Sequence, residues 1–359
     1  MINKRYILLI LSTLAFVINT MAQAAEEDCY GDNRTKGISS YNSGKYAEAK
    51  KYFQSAQNCD MKPKQNDIAR WIDNCNKKIN EQKQAQTPKQ QTQIAPEMQP
   101  VQVYAEQGAL YGVFSVSPTK KVRFSQGNLQ YRASTNTWRF AEHQYDMIGK
   151  ANKNISSTYA GWIDLFGWGT SGYNGKFPYM TSTEPTNYGN GSSDITGTNY
   201  DWGVYNKISN GGNQAGFWRT LTYIEWNYLI NSRINAKIKY GVACVNGVDG
   251  LIFLPDNWTL PSGLSFTNGT TGHYSQNTYT SVQWSEMEAN GAVFLPATGM
   301  RFGTEIRNID WESFGKYWTS SYRDSYYAIF LDICSYLVPT TVACAQNHGL
   351  AVRLVQDVK

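Results

Sequence analysis

The sequence predicts an α+β protein in which a small all-α module precedes a larger domain of short strands, two helices and long loops. Three regions lead to this prediction. Residues 25–80 carry apolar side chains at helical spacing, residues 81–107 have no apolar periodicity, and residues 108–357 combine alternating strands with two capped helices. The middle region is rich in Gln, Pro and Lys, which is typical of a flexible linker. We therefore expect two folded units joined by a tether.

Residues 1–24 have the three parts of a secretory signal peptide. Lys4 and Arg5 form a basic start, an apolar run covers residues 6–21, and Ala22-Gln23-Ala24 has the small-x-small pattern of a cleavage site. The apolar run is shorter than the ~20 residues of a transmembrane helix. We expect an exported protein without a transmembrane segment, located in the periplasm, on the cell surface or in the medium. Removal of two positive charges would lower the formal net charge of +5 to +3, which indicates no nucleic-acid partner.

The spacing in residues 25–80 resembles a single tetratricopeptide unit followed by a capping helix. Gly44 is expected in the turn between two antiparallel helices, Phe53 between their faces, and a third helix from Asn66 to Asn80. One repeat is too short for a solenoid groove, so we expect a spacer or a module that docks a partner. The residues at repeat spacing are Gly37, Tyr41, Gly44, Tyr46, Ala49, Phe53 and Ala56.

Three of the six cysteines lie in this module, which is too small to bury an extensive core. An oxidising destination permits disulfides. We expect either Cys59 or Cys29 to pair with Cys75, because one bridge of this kind would staple the helices. The spacing alone leaves both pairings open.

Residues 108–357 contain several strand patterns and two helix starts. Thr222 with Glu225, and Thr280 with Gln283, have the spacing of a capping box, so a helix is expected after each threonine. The predicted strands are Val113–Val116, Val122–Phe124, Gly250–Pro255, Ala292–Pro296 and Leu350–Val355.

A series of motifs in this domain resembles a known fold family. WRTLTYIEWNYL, GLIFLPDNW, AVFLPATGMR, YWTSS and GLAVRLV occur in this order from Trp218 onward. This order is similar to the C-type-lectin-like fold in its formylglycine-generating-enzyme (sulfatase-modifying factor) branch, and to secreted paralogous domains of Bacteroidota. The branch includes the variable proteins of diversity-generating retroelements. In those proteins, adenine-directed mutagenesis diversifies solvent-facing codons near the C-terminus while the fold holds the backbone.

The segment from Ser321 to Ala351 has a restricted composition. Only Gln346 in this span belongs to the set Lys, Glu, Gln, Met and Trp, which makes up roughly a fifth of ordinary sequence. All other residues in the span can be reached from an Asn codon (AAY) by changing its adenines. This favours a diversified binding surface over a catalytic site that must be held fixed.

The resemblance implies that Tyr317–Ser321 is a constant lead-in and that Leu331, Ile333, Pro339, Gly349, Val352 and Leu354 belong to the frame. Strand alternation then predicts that Phe330 and Asp332 lie on the opposite face from Leu331 and Ile333. The candidate ligand-binding positions are Tyr322, Arg323, Asp324, Ser325, Tyr326, Phe330, Asp332, Tyr336, Val338, Thr340, Thr341, Val342, Ala343, Asn347 and His348.

The expected partner is a protein or glycan on another cell, a phage or a host. One alternative is a lectin-like adhesin without diversification that binds through Trp202, Trp218, Trp258 and Trp284. A second is an oxidase of the formylglycine branch. That chemistry requires a reactive cysteine pair, whereas Cys334 and Cys344 are ten residues apart and have no basic cluster beside them. They are expected to be incidental or to form a local disulfide.

No catalytic residue, metal site or cofactor is predicted, although a structural calcium ion on loop carboxylates such as Asp194 or Asp201 stays open. Calcium-dependent sugar binding uses motifs of the E-P-N and W-N-D types. Glu184–Asn187 has an extra residue, and Asp256–Trp258 runs in the reverse order. The three histidines, at positions 143, 273 and 348, show no ligand spacing.

Overall fold

The computed structural model describes residues 29–60, 67–85, 106–270, 272–307 and 314–358. The predicted signal peptide, residues 1–24, lies outside these ranges. The chain divides into two compact units, residues 1–96 and 97–359, and the division falls inside the predicted linker. In the described part of the chain, no helix is both long enough and apolar enough to span a membrane.

The first unit contains a helical hairpin and a third helix. Helix α1 covers residues 29–42, α2 covers Tyr46–Gln57 and α3 covers Ile68–Ala85. Gly44 makes the turn between α1 and α2 with φ +74°, a conformation that glycine adopts without strain. The end of α3 lies five residues beyond the predicted end. The added residues, Glu81–Ala85, are mostly strong helix formers, and helical propensity therefore outweighs the linker-like composition.

Small residues let the helices of the first unit approach closely. A Cβ atom on Gly37 would lie 2.6 Å from the Phe53 ring, so the hairpin requires glycine there. Phe53 is fully buried and stacks on Trp71 of α3, as the predicted capping helix requires. An ion pair between Arg34 and Asp67, with N–O 2.6 Å, also joins α1 to the start of α3.

The disulfide of the first unit joins Cys29 to Cys59, so both predicted pairings with Cys75 are wrong. The antiparallel hairpin places the start of α1 beside the end of α2, and the two Cα atoms are 6.2 Å apart. Cys75 is a free thiol on the core face of α3, buried with Ala49, Phe53, Ala56 and Ile68. It therefore serves as a small apolar core residue.

The second unit mixes helix and sheet, which agrees with the predicted α+β class. Two four-stranded sheets have the orders β1-β2-β16-β5 and β8-β6-β7-β9, two three-stranded sheets have the orders β11-β10-β15 and β12-β13-β14, and β3 pairs with β4. The strands are β1 Phe114–Ser115, β2 Lys121–Phe124, β3 Leu129–Arg132, β4 Thr137–Phe140, β5 Arg219–Thr220, β6 Tyr240–Val245, β7 Val248–Phe253, β8 Thr278–Tyr279, β9 Val293–Pro296, β10 Met300–Phe302, β11 Glu305–Arg307, β12 Gly315–Tyr322, β13 Tyr327–Ile333, β14 Thr340–Ala345, β15 His348–Gly349 and β16 Leu354–Asp357.

Both predicted capping boxes are present. The Thr222 and Glu225 side chains each bond the other's backbone N–H at the start of helix α5, and Thr280 and Gln283 do the same at the start of α6. The α-helices of this unit are α4 Trp202–Tyr205, α5 Tyr223–Asn227, which continues as a π-turn over Tyr228–Ser232, and α6 Ser281–Ala289. Single 3-10 turns cover Glu106–Gly108, Ala133–Thr135, Gly149–Lys153, Tyr173–Gly175, Pro185–Asn187, Ala236–Ile238 and Tyr274–Gln276.

The predicted strand Leu350–Val355 is only partly regular. Leu350 and Ala351 make isolated bridges to Phe166 and Tyr317, and the regular strand β16 begins at Leu354. Arg353, fully buried, donates to the Asn128, Gln144 and Phe294 oxygens. The segment thus contacts Phe166, Tyr317 and then strands β2 and β5 in turn, and it does not extend one sheet.

Candidate functional site

Strand β12 is a buried support for the C-terminal part of the chain. All five residues of its YWTSS motif are buried. The Tyr317 hydroxyl donates to the Pro296 carbonyl at 2.7 Å, and the Trp318 indole N–H donates to the Phe166 carbonyl at 2.7 Å. The Thr319 hydroxyl donates to the Ile329 carbonyl at 2.7 Å across the bulge where the β12–β13 register shifts. The motif's hydroxyl and indole groups therefore fix this strand.

The turn from β12 to β13 is built around Asp324. Its carboxylate Oδ1 accepts from the backbone N–H groups of Tyr326, at 2.9 Å, and Tyr327, at 3.0 Å. Arg323 and Tyr326 project into solvent from this turn, and Tyr326 is 50% exposed. The backbone of the β12–β13 turn thus depends on Asp324, whereas the neighbouring candidates Arg323 and Tyr326 have solvent-exposed side chains.

Strand β13 is buried on both faces, and this corrects the prediction for Phe330. Leu331 and Ile333 pack into one core cluster, while Ala328 and Phe330 pack into a second. Phe330 is 5% exposed and meets Trp318 edge-to-face with ring centroids 6.3 Å apart. Alternation places Phe330 on the opposite face from Leu331, as predicted, but that face is covered by a second core cluster that includes Phe166 and Trp318.

Asp332 is half-buried and forms an ion pair with Lys316 on β12, with N–O 2.8 Å. The two residues are direct cross-strand partners. Lys316 also lies over the Phe330 ring, 4.8 Å from its centroid. Asp332 is thus a paired residue of the sheet and has limited freedom to contact a ligand.

The connection from β13 to β14 carries the most exposed apolar side chains of the segment. Tyr336 is 53% exposed and Leu337 is 56% exposed, and Val338 follows them with a similar value. The backbone here is fixed at Ser335, whose carbonyl accepts from Gly272 N–H at 2.9 Å and whose hydroxyl donates to the Gly272 carbonyl at 3.1 Å. Exposed apolar side chains therefore stand on an anchored loop.

Strand β14 is the edge of its sheet and is partly exposed along its whole length. Thr340 and Val342 are exposed, and Thr341 and Ala343 are half-buried. Each lies opposite a β13 residue, from Asp332 opposite Thr340 to Ala343 opposite Ile329. These four candidate residues therefore lie on an accessible strand beside a fixed one.

Asn347 and His348 follow β14 and are less exposed than its residues Thr340 and Val342. Asn347 is buried and donates to the Thr183 carbonyl at 2.8 Å. His348, on β15, is half-buried against Phe302, with ring centroids 5.4 Å apart. Burial and the positive charges of Arg307 and Lys316 lower the pKa of His348. The prediction that these two residues share the ligand-binding surface is therefore not met for Asn347, which is interior.

We call residues 322–345 the C-terminal hairpin. Its exposed residues form one group at the β12–β13 turn and another at the β13–β14 connection, and exposed Val342 of the edge strand β14 lies between these groups. The ladder from Tyr327 to Asp332 spans roughly 17 Å at strand spacing. Tyr327 and Leu337 are exposed but were absent from the predicted set. Their codon class, which is the same as that of the other candidates, is the signal that would have included them.

Gln346 is the exception to the codon restriction, and it is completely buried. Its side-chain amide Nε2 donates to the Asp324 carbonyl at 3.1 Å, and its backbone N–H donates to the Tyr326 carbonyl at 3.0 Å. Its own carbonyl accepts from Trp168 N–H at 2.9 Å. The one residue outside the restricted set thus holds the β12–β13 turn to the core.

Cys334 and Cys344 are both free, so the expected local disulfide is absent. Cys344 lies opposite Ala328 in the ladder, and Cys334 is six residues further along β13, which corresponds to roughly 20 Å. Burial strongly raises the pKa of the Cys344 thiol. The separation rules out both a disulfide and a shared metal ion between these two cysteines.

The loop carboxylates considered for calcium already accept protein hydrogen bonds. Asp201, fully buried, accepts from the Thr220 N–H and hydroxyl at 2.9 Å, and burial raises its pKa to about 6. Asp194 accepts from the Tyr322 N–H at 2.8 Å. Within the described ranges, no group of three or more His, Cys, Asp or Glu side chains is arranged to hold a metal ion.

The tryptophans of the alternative adhesin are mostly interior. Trp202, Trp218 and Trp284 are buried, and Trp258 is half-buried against the core. A surface cavity of about 510 Å³ lies between α5, the β1–β2 turn and β16, and Arg219 lines it. The Arg219 guanidinium is already held by Glu225 and Asp357 at 2.7 to 2.8 Å. The Arg219 guanidinium is therefore not free to pair with a charged ligand in this cavity.

The chain matches no protein-family model, no curated protein and no solved structure. The resemblance to the C-type-lectin-like fold therefore stays a prediction, carried by the motifs in the sequence.

Proposed function

We propose that this chain is an exported ligand-binding protein whose C-terminal hairpin recognises a protein or glycan on another cell, a phage or a host. We further propose that the hairpin is diversified by a retroelement, on a C-type-lectin-like frame. The mechanism is complementarity of shape and hydrogen bonding from side chains that change on a backbone that does not.

One observation carries the proposal. Within residues 321–351, every exposed position is codon-restricted, and the single unrestricted residue, Gln346, is a buried support. Buried residues of the span, such as Phe330 and Leu331, belong to the restricted set as well. Tyr326, Tyr336 and Val342 then provide exposed contact area with little rotameric entropy to lose on binding. A catalytic site is less well supported, since the two cysteines that the oxidase branch would need are far apart.

The test is deep sequencing of codons 317–355 across a population of the source bacterium. We expect variation at template adenines in the codons for the exposed residues of the hairpin. The codons for Tyr317–Ser321, Gln346 and Leu350–Val355 should stay constant. A uniform sequence, or variation spread evenly over the whole domain, would contradict diversification.

Binding is tested separately, because a hairpin that is not diversified can still bind a ligand. A library randomised at Arg323, Ser325, Tyr326 and Tyr336 is displayed and selected against surface extracts of neighbouring bacteria. A matched library is randomised at four exposed residues of α5 and α6, namely Tyr223, Ile224, Val282 and Glu286. Enrichment of specific binders from the first library only is expected. Equal enrichment from both would show that the hairpin has no special role.

A further inference from the structure

Two arginines on the β3–β4 hairpin form a cluster with Trp162, far in sequence from residues 322–345. In this hairpin, Gln130 lies opposite Arg139 and Arg132 lies opposite Thr137, so both arginines are on one face. The other face, with Leu129, Tyr131, Trp138 and Phe140, is buried in the core. An isolated bridge between Tyr131 and Ile163 brings Trp162 to the hairpin.

Both guanidinium groups lie on the same indole ring. Arg132 Cζ is 4.2 Å from the centroid of Trp162, and Arg139 Cζ is 3.9 Å from it. Stacking on an aromatic ring occupies the face of a guanidinium and leaves its in-plane N–H groups free. The tryptophan therefore holds two rigid donor forks without using their donors.

The positive charges of this cluster have no direct counter-charge. Neither arginine forms an ion pair with a carboxylate of the described residues. Arg139 Nε donates to the Gln130 side-chain oxygen at 2.9 Å, and Arg132 Nε is buried without a hydrogen-bond partner in this part of the chain. Burial and the neighbouring charge of Arg132 lower the pKa of Arg139, while Glu142 and Asp146 raise it at longer range. The charge of Arg132 thus disfavours the charged form of Arg139, and a bound anion would offset this repulsion.

We propose that Arg132, Arg139 and Trp162 form a binding site for an oxyanion group, namely a phosphate, sulfate or carboxylate. The donor forks match the bidentate geometry of such groups, and the half-buried setting strengthens each charge-assisted hydrogen bond. The site is independent of the proposed recognition by the C-terminal hairpin.

The experiment is an NMR titration of the full chain with inorganic phosphate, sulfate and acetate, each replacing chloride at constant ionic strength. The signals followed are the Trp162 indole N–H and the Nε–H groups of Arg132 and Arg139. We expect saturable shifts with a dissociation constant on the order of 1 mM for at least one anion. Absence of saturable shifts with all three anions would overturn the proposal.

Variants separate this site from general attraction of anions to a basic protein. R132Q and R139Q should each weaken binding by about tenfold or more, because each removes a charge-assisted contact. R123Q removes the same charge from β2, where Arg123 bonds the Tyr111 carbonyl, and should bind like the parent. If R132Q does not fold, the affinity of R132K is measured in its place, since this variant keeps the positive charge but loses the paired N–H donors of the guanidinium. Unchanged affinity in R139Q and R132K would overturn the proposal.

The source of the oxyanion is distinguished with polymers. Dextran sulfate, polygalacturonate and neutral dextran are compared by the same signals. Binding of one anionic polymer assigns the site to sulfated or uronic-acid glycans, and binding of the inorganic ions alone assigns it to a free ion. Binding of neutral dextran as strong as that of dextran sulfate would contradict an oxyanion site.

Discussion

Strand β12 and the C-terminal hairpin are adjacent and use similar residue types, but their side chains have opposite roles. Tyr317 on β12 is completely buried, and its hydroxyl bonds Asn128 and Pro296. Tyr326 and Tyr336 on the hairpin are about half exposed, and their rings do not join any core cluster. Residue type therefore does not distinguish a supporting residue from a surface residue. The hydrogen bonds and core contacts of each side chain make that distinction.

The hairpin itself divides in the same way. Phe330 and Asp324, with Gln346 just beyond the hairpin, support the backbone, whereas Ser325, Tyr326 and Val338 are exposed surface side chains. A position can change freely where no backbone group and no core contact depends on its side chain. The predictions below test this division, from the largest expected loss of stability to the smallest.

The largest effect is expected for Trp318→Ala. This substitution removes a buried indole and leaves the Phe166 carbonyl without its donor. We expect the free energy of unfolding of the second unit to fall by about 4 to 6 kcal/mol. Urea unfolding followed by tryptophan fluorescence measures the loss. A fall of less than about 1 kcal/mol would mean that β12 is not the support described above.

The next largest effect is expected for Phe330→Ala, which tests the correction made for this position. Loss of the ring opens a cavity beside Trp318, at a cost of about 3 kcal/mol. Its direct cross-strand partner, Val342, is exposed and provides the matched control. Val342→Ala should cost less than about 1 kcal/mol. Equal losses in the two variants would place Phe330 back on the surface.

A smaller effect, dependent on pH, is expected from His348. Its pKa is lowered in the folded protein, so the unfolded chain binds a proton more readily as the pH falls. The contribution of His348 to stability is therefore complete above its unfolded pKa of ~6.5 and is lost as the pH falls through the lower folded value. The His348→Gln variant should lose less stability than the parent between pH 7.5 and pH 5. Parallel stability curves for the two proteins would contradict this.

Local patterns allowed part of this structure to be predicted from the sequence. The capping boxes at Thr222 and Thr280 depend on residues three apart, and both helices begin there. Gly37 and Phe53 indicated the close approach of two helices in the same way. The capping boxes depend on neighbours in sequence, and the helix contact depends on the fixed spacing of a repeat, so spacing alone identifies both.

Long-range features were beyond the same reasoning. The Cys29–Cys59 bond depends on which helix ends meet, and the burial of Phe330 depends on a second core cluster that includes Phe166 and Trp202. Alternation within β13 indicated two faces correctly but not what covers each face. The candidate surface was therefore predicted in outline, with interior residues included and the exposed Tyr327 and Leu337 omitted.

The smallest loss of stability, together with the largest loss of binding, is expected for the double substitution Tyr326→Ser and Tyr336→Ser. Neither ring is part of a core cluster, so the free energy of unfolding should change by less than about 0.5 kcal/mol per site. Binding to a ligand selected by the hairpin should fall by more than about tenfold, since exposed aromatic anchors dominate binding energy. The control is Tyr205→Ser on α4, which removes an exposed tyrosine ring outside the hairpin. If the double variant loses as much stability as Phe330→Ala, the distinction between exposed and supporting positions fails. Exposure of a side chain would then not indicate that its position is free to vary.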